Sequence, residues 1–508
     1  MLGASPFYAL VAAAFVFVLS RIVRRKPSMP RPPGPPRLPL IGNLLDMPPD
    51  MEWLKYDKWS RKYGDMVSLN VLGQPMVILS NLKTANYLLD KKSIVSCDRP
   101  DIPMLRMSGF SPITLIQNYG VDFKHSRRLI HKSIGSESSL SRFYPLQSAE
   151  IRRFLKRLLA FPEHPTEQSL YQCSHFAASA ILLRSCYGYS IVDNDPQVAA
   201  IETVMRGFVI TGIPTAFWVN FAPILTYLPS WFPGTKWKAL ARQLKHDIEA
   251  EVDRPFHVVR QQMNGGKEVE FCYTADLLNE GEDDFFIKWT ASTLYGAGSD
   301  AAIASSGAFY KAMILHPEIQ DRAQAEIDLV VGTDRLPTMA DRSSLPYIEA
   351  LLLEVYRWHS VVPLGFPHRL MEDEIVDGYF LQAGTVVLVN SWKISQDPNI
   401  YPDPHVFDPT RFLPSEGKPM QQDPRAYYFG HGRRMCAGRL FAQAALFEMV
   451  ATSLAAFNVS TYIDENGVPH PPVAEQVKGQ ISHQSRFKCT IKPRSARAEA
   501  LVRECVEE

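Results

Sequence analysis

FGHGRRMCAGRLFAQ, residues 429–443, sets one cysteine, Cys436, among three glycines and three arginines, just ahead of a helical pattern. A thiolate is a strong metal ligand, and glycines let backbone pass close to a bulky planar group. Backbone N–H groups and the N-terminus of the following helix favour negative charge on sulfur. Arg434 adds a cation that can pair with an acidic group on the same ligand. A hydrolase cysteine would want a histidine base. Such partners normally lie far away in sequence, so the adjacent His431 is weak support for that chemistry.

The rest of the chain narrows the choice. It has 508 residues, 46% of them hydrophobic, enough for a large core. With 54 basic and 53 acidic residues the net charge is +1, without the basic excess of a nucleic-acid binder. Seven scattered cysteines contain no CxxC pair, so neither a structural zinc site nor a disulfide framework is indicated.

Residues 2–20, LGASPFYALVAAAFVFVLS, carry no charge and are followed by RIVRRK. Such a run just spans a bilayer, and the basic flank predicts that the remainder stays cytosolic. The rival reading, a cleaved signal peptide, lacks a basic n-region and a small-x-small site. Residues 1–26 are therefore expected to be a transmembrane anchor. Seven prolines between 26 and 43 forbid a helix, making 27–40 a stiff hinge. No linker or repeat follows, so 41–508 reads as one catalytic domain.

Helical patterns dominate that domain. Residues 283–317 are apolar almost all round and end at Pro317, the mark of a buried central helix. Residues 345–360 and 439–457 predict two more helices, while 66–79 and 385–392 alternate as strands do. The fold class expected is mostly α with a small β-sheet.

The chemistry that uses all the features around Cys436 is a haem with a cysteine proximal ligand. Phe429, Gly432, Arg434, Cys436 and Gly438 stand at the spacing FxxGxRxCxG, which resembles the haem-binding loop of the cytochromes P-450. Further motifs follow in family order along essentially the whole chain. Glu354 and Arg357 form ExxR at a helical i,i+3 spacing. FDPTRF (407–412) resembles the family's FxPERF, with Thr410 where Glu is usual, so that Arg411 would complete a structural triad with Glu354 and Arg357. YGVDFKHSRRLIHK (119–132) resembles the helix carrying WRxxR. Arg127 fits it, Lys124 replaces the first Arg, and Phe123 replaces Trp with the loss of an N–H donor. The resemblance implies that Arg127, Arg434 and His368, with Lys124, are partners for the haem propionates.

The central helix holds AGSDAA, residues 297–302, where the family pattern is AGxDTT. In the family the first threonine and its acidic neighbour steer protons to dioxygen. Asp300 is kept, but Ala301 and Ala302 have no hydroxyl to donate or to hold water. Ser305, one turn beyond Ala301, is a weak substitute. A substrate hydroxyl or ordered water would then supply the donor.

What the resemblance implies is a cytochrome P-450 fold behind a single transmembrane helix, heme b held by Cys436, and monooxygenation of a lipophilic terpenoid or aromatic metabolite. Electrons would come from a separate NADPH-dependent flavoprotein reductase, at the endoplasmic reticulum membrane with the catalytic domain facing the cytosol. The motif set looks most like fungal secondary-metabolism members. The alternative is a reductant-independent haem isomerase or dehydratase, which the missing threonines suggest. The family places pocket walls near 102–117, 212–221, 295–302, 361–365 and 477–481. The aromatic segment 214–234 is a candidate for the membrane interface.

Overall fold

The computed structural model describes residues 29–505 apart from 214–215, 267, 418 and 474–475. The expected anchor lies outside the described residues. Among those described, no helix is long and apolar enough to cross a membrane.

The main helices are α1 (Glu52–Tyr63), α2 (Val121–Ile134), α3 (Tyr144–Leu159), α4 (Ser169–Tyr187), α5 (Pro196–Gly212) and α6 (Lys236–Asn264). They continue with α7 (Asp284–Leu315), α8 (Pro317–Val330), α9 (Pro346–Trp358), α10 (Arg439–Ala456) and α11 (Ala496–Glu504). The axis of the molecule is α7, whose 32 residues run about 48 Å at 1.5 Å per residue. The Asp283 side chain caps it by accepting from the Phe285 N–H at 2.9 Å. Residues such as Ile287, Ala291, Tyr295, Ala304, Phe309 and Tyr310 are buried on every side of it. This all-round burial is why its sequence lacks an amphipathic stripe. Helices α4, α9 and α10 pack against α7, and α3 backs α4. Pro317 ends α7 as expected and also opens α8, because proline is well tolerated at a first helical turn.

The main sheet has the order β1–β2–β6–β3, from β1 (Met66–Val71), β2 (Gln74–Leu79), β3 (His368–Arg369) and β6 (Val386–Val389). Between β3 and β6 lies a hairpin of β4 (Glu374–Val376) and β5 (Tyr379–Leu381). The apolar run 66–79 is likewise a hairpin. Its turn, Leu72 and Gly73, has both φ values positive, as a two-residue hairpin turn demands, and Asn70 Oδ1 accepts the Gly73 N–H. A second sheet joins β7 (Phe457–Ile463), β8 (Pro469–His470) and β9 (Cys489–Pro493). The proline-rich segment is anchored to the body: Ser68 N–H donates to the Pro33 carbonyl at 2.8 Å, and Ser68 Oγ donates to that of Pro32 at 2.7 Å.

Candidate haem site

Between Tyr427 and α10 the chain makes a tight loop. The Cys436 N–H donates to the Phe429 carbonyl at 2.7 Å, closing it. Gly432 sits at φ +52°, and a Cβ there would lie 2.0 Å from the Leu89 carbonyl oxygen, so only glycine lets the loop approach that backbone. Its N–H donates to Asp90 Oδ1 at 2.5 Å. Phe429 packs edge-on against Tyr356 of α9, with ring centres 5.6 Å apart.

Of the seven cysteines only Cys436 is exposed. Yet protein crowds it on all sides, so the surface it shows faces an internal cleft. Burial raises its thiol pKa, opposed by a hydrogen bond from the Gly438 N–H and by the charges of Arg127 and Arg439. A bound metal settles the matter by deprotonating a coordinating thiol outright. A Cβ on Gly438 would meet nothing within 4 Å, which leaves room beside the sulfur for a flat group.

The cations around this cleft differ in their engagement. Arg434 is buried, donates through Nε to the Cys97 carbonyl (2.5 Å) and through Nη2 to that of Gln117 (2.6 Å), and leaves Nη1 buried without a partner. It lies 3.8 Å from the Phe123 ring. Phe123 thus supports the cation by stacking where an indole would have offered a donor. Burial pulls Arg434 down to about 10. Half-buried Arg127 has no hydrogen bond or ion pair among the described residues, and its pKa is lowered by burial and raised by Cys436. His368 Nδ1–H donates to the Ser96 carbonyl at 2.9 Å, which fixes the tautomer. Its pKa is well below the ordinary value because of burial and the neighbouring Arg99. Lys124 is exposed, its ammonium 4.8 Å from the Tyr119 ring. An inward cysteine, a glycine without neighbours, an arginine nitrogen aimed at nothing and an unpaired arginine together fit an anionic planar macrocycle.

Behind the loop, Glu354 and Arg357 are fully buried and bonded twice, with Nε and Nη2 each 2.7 Å from a carboxylate oxygen. Arg411 Nε stands 3.6 Å from Glu354, and the Asp408 N–H donates to the same carboxylate at 2.8 Å. Burial raises the Glu354 carboxyl pKa, against the pull of Arg357. Arg357 also donates to the carbonyls of Ser395 (3.1 Å), Pro404 (2.8 Å) and Val406 (3.2 Å), and Arg411 Nη2 to those of Asp403 (2.7 Å) and Val406 (3.2 Å). The triad pins the approach to the loop.

On the other wall, α7 is open over residues 297–302, with Ala297 exposed, between the buried pair Tyr295 and Gly296 and the buried run 303–306. Asp300 Oδ1 lies 2.8 Å from His483 Nε2. Ala301 and Ala302 offer only methyl groups. The Ser305 hydroxyl is already engaged, donating to the Ala301 carbonyl (2.9 Å) and accepting from Tyr428 OH (3.0 Å). That last bond ties α7 to the cysteine loop.

A narrow cavity reaches Ala297. Ile113, Leu115, Val204, Phe208, Ile248 and Tyr295 are among its walls. The segments 102–117 and 295–302 line it as expected. Positions from α5 and α6 also line it, and in sequence these look like ordinary core faces. The described residues of segments 212–221, 361–365 and 477–481 do not line this cavity. His483, Asp90 and Arg99 were not singled out from sequence either, since each meets its partner only through the fold.

Comparison with known proteins agrees with this geometry. The family model described as Cytochrome P450 matches residues 32–487. The chain is 41% identical over 495 residues to cytochrome P450 monooxygenase claR of Ampulloclitocybe clavipes, covering 96% of this chain and 90% of that one. It is 40% identical to cytochrome P450 monooxygenase 208 of Postia placenta, covering 97% and 96%. It is 34% identical to the multifunctional cytochrome P450 monooxygenase af510 of Aspergillus fumigatus, covering 91% and 88%. None of these names is that of an isomerase or dehydratase. The chain belongs to the cytochrome P450 family, and these relatives, matched along nearly its whole length, are named as fungal monooxygenases, which are oxidoreductases.

Proposed function

We propose that this protein is a haem-thiolate monooxygenase that inserts one oxygen atom from dioxygen into a lipophilic small molecule, a terpenoid or aromatic metabolite. The observation that carries the reading is Cys436, inward-facing and exposed in a glycine loop beside Arg127 and Arg434. Cys436 would hold heme b through its sulfur. Phe429, Gly432 and Gly438 shape the loop, and Arg434, Arg127 and His368 would take the propionates, with Lys124 at the rim. When bound, haem supplies the activation of dioxygen.

The protein's own part is positioning, exclusion of water and proton supply. The apolar walls beside Ala297 suit a substrate with few polar groups. Asp300 holds an acidic group in the open stretch of α7, while Ala301 removes the hydroxyl that would otherwise pass its proton on. A substrate hydroxyl or an ordered water takes that place. Electrons come from a separate NADPH-dependent flavoprotein reductase. The segment 1–26 anchors the chain in the endoplasmic reticulum membrane with the body in the cytosol. Exposed Trp218, Ile224, Tyr227 and Trp231 support contact with the same membrane. The test is to offer lipophilic substrates to the protein and a fungal reductase under heavy-isotope dioxygen. Labelled product that requires NADPH supports the reading; unlabelled, rearranged product formed without NADPH overturns it.

A further inference from the structure

Asp300 has a partner that no sequence motif indicates. Its Oδ1 is 2.8 Å from His483 Nε2, and the two side chains are 43% and 27% exposed. His483 lies in the turn 476–484, and that turn is held on both sides of it. Ser482 donates through its N–H to the Val361 carbonyl at 2.8 Å and accepts at its own carbonyl from His359 Nε2–H at 2.9 Å. Gln476 Nε2–H then donates to His359 Nδ1 at 3.0 Å. Burial pulls His359 down to about 3, so it is a neutral prop. On the far side, Lys311 Nζ donates to Gln484 Oε1 at 2.6 Å. Lys311 and Asp300 both lie on α7, eleven residues apart, which is about three helical turns and so one face. The helix therefore grips two consecutive residues of the turn, His483 and Gln484.

We propose that His483 is the positioning residue of Asp300 and its source of protons during turnover. The proposal rests on the monooxygenase reading, whose stoichiometry is R–H + O2 + NADPH + H+ giving R–OH + H2O + NADP+. Each proton leaving the Asp300 carboxyl has to be replaced, and His483 is the group hydrogen-bonded to that carboxyl. In the replacement step solvent protonates the imidazole at Nδ1. The Nε2–H bond breaks, its electron pair stays on nitrogen, and an Oδ1–H bond forms on Asp300. The ring is left neutral with its proton on Nδ1. A half-turn flip of this partly exposed side chain presents that N–H to Asp300 and turns the other nitrogen outward for the next proton. The other titratable and charged groups near the pair are His359 and Lys311 on one side. On the other are Tyr171, Arg486 with its guanidinium 4.1 Å from the Tyr171 ring, and Glu202 paired with His175 at 2.5 Å.

The experiment uses the full chain with reductase and compares wild type with His483→Gln, which keeps a hydrogen-bond donor but does not titrate. Product and peroxide are measured per NADPH from about pH 5 to about pH 8. Product per turnover is expected to fall at least tenfold with a matching rise in peroxide, kcat is expected to change more than KM, and the wild-type pH dependence is expected to flatten. A readout independent of activity is the thermal midpoint of wild type, His483→Gln, Asp300→Asn and the double variant, in which the losses are expected to be non-additive. Haem loading is checked by the reduced carbon monoxide spectrum; if the Gln variant loads poorly, His483→Asn carries the comparison. An unchanged product-to-peroxide ratio and pH profile, or additive thermal losses, would overturn the proposal. Failure of the monooxygenase reading is distinct, because the wild type would then give no labelled product.

Discussion

Replacing Gly432 with alanine attacks the cysteine loop at its tightest point. The added Cβ would lie 2.0 Å from the Leu89 carbonyl oxygen, a backbone atom, and 3.1 Å from Ser93 Cβ. Carbon and carbonyl oxygen tolerate roughly 3.3 Å, so the loop has to move by about 1.3 Å. The residue also sits at φ +52°, which costs an L-residue about 1–2 kcal/mol. Movement of that size stretches the bond from Gly432 N–H to the Asp90 carboxylate, worth about 1.5–3 kcal/mol. The total is about 2.5–5 kcal/mol, concentrated four residues from Cys436. The assay is haem per protein together with the carbon monoxide spectrum of the reduced form. Gly432→Ala is expected to lose most of its haem. Asp90→Ala, which removes the acceptor without a clash, is expected to retain substantially more. A Gly432→Ala protein with full haem and an unchanged thermal midpoint would refute the reasoning.

Other perturbations probe different parts. Arg357→Lys keeps the charge but loses the paired hydrogen bonds to Glu354 and the three carbonyl contacts, so destabilisation of about 2–3 kcal/mol is expected by denaturant titration. Glu448 of α10 is raised to about 7 by burial, with Ser148 donating to it and Oε2 left unpartnered. A carboxyl raised in the folded state binds more protons than in the unfolded one, so stability is lost as pH rises from about 4.5 to about 7, on the order of 3 kcal/mol. Glu448→Gln is therefore expected to raise the thermal midpoint at pH 8 and to leave it unchanged at pH 4. Ala301→Thr restores the hydroxyl beside Asp300 and is expected to shift output from peroxide towards product. An unchanged ratio would mean that position 301 is not the proton gate.

The residues fixed by local backbone were legible before the fold. The Cys436 loop, the ends of α7, α9 and α10, and the pairing of Glu354 with Arg357 all follow from spacing within a dozen residues. Arg411 required the family's order of motifs, and the structure brings it to Glu354. Contacts between distant segments were not legible. Nothing in QISHQS (480–485) marks His483 as the partner of Asp300, and nothing in the α5 and α6 patterns separates a cavity wall from core. Ser305 reads in sequence only as a weak substitute for the missing threonine, and its bond to Tyr428, 123 positions further along the chain, is made only by the fold. The role of Lys124 rests on its place in the motif. The structure shows it exposed, while Arg127, one helical turn on, faces the charge field of Cys436.

The most direct measurement is the spectrum of the reduced protein with carbon monoxide, taken for the wild type and for Cys436→His. Haem held by a thiolate would give a strongly red-shifted Soret band, and haem held by an imidazole would not. The account predicts that band in the wild type and its loss in Cys436→His, together with all NADPH-dependent product. A wild-type spectrum without the shift, or a variant that keeps it, would contradict the assignment of Cys436 as the proximal ligand.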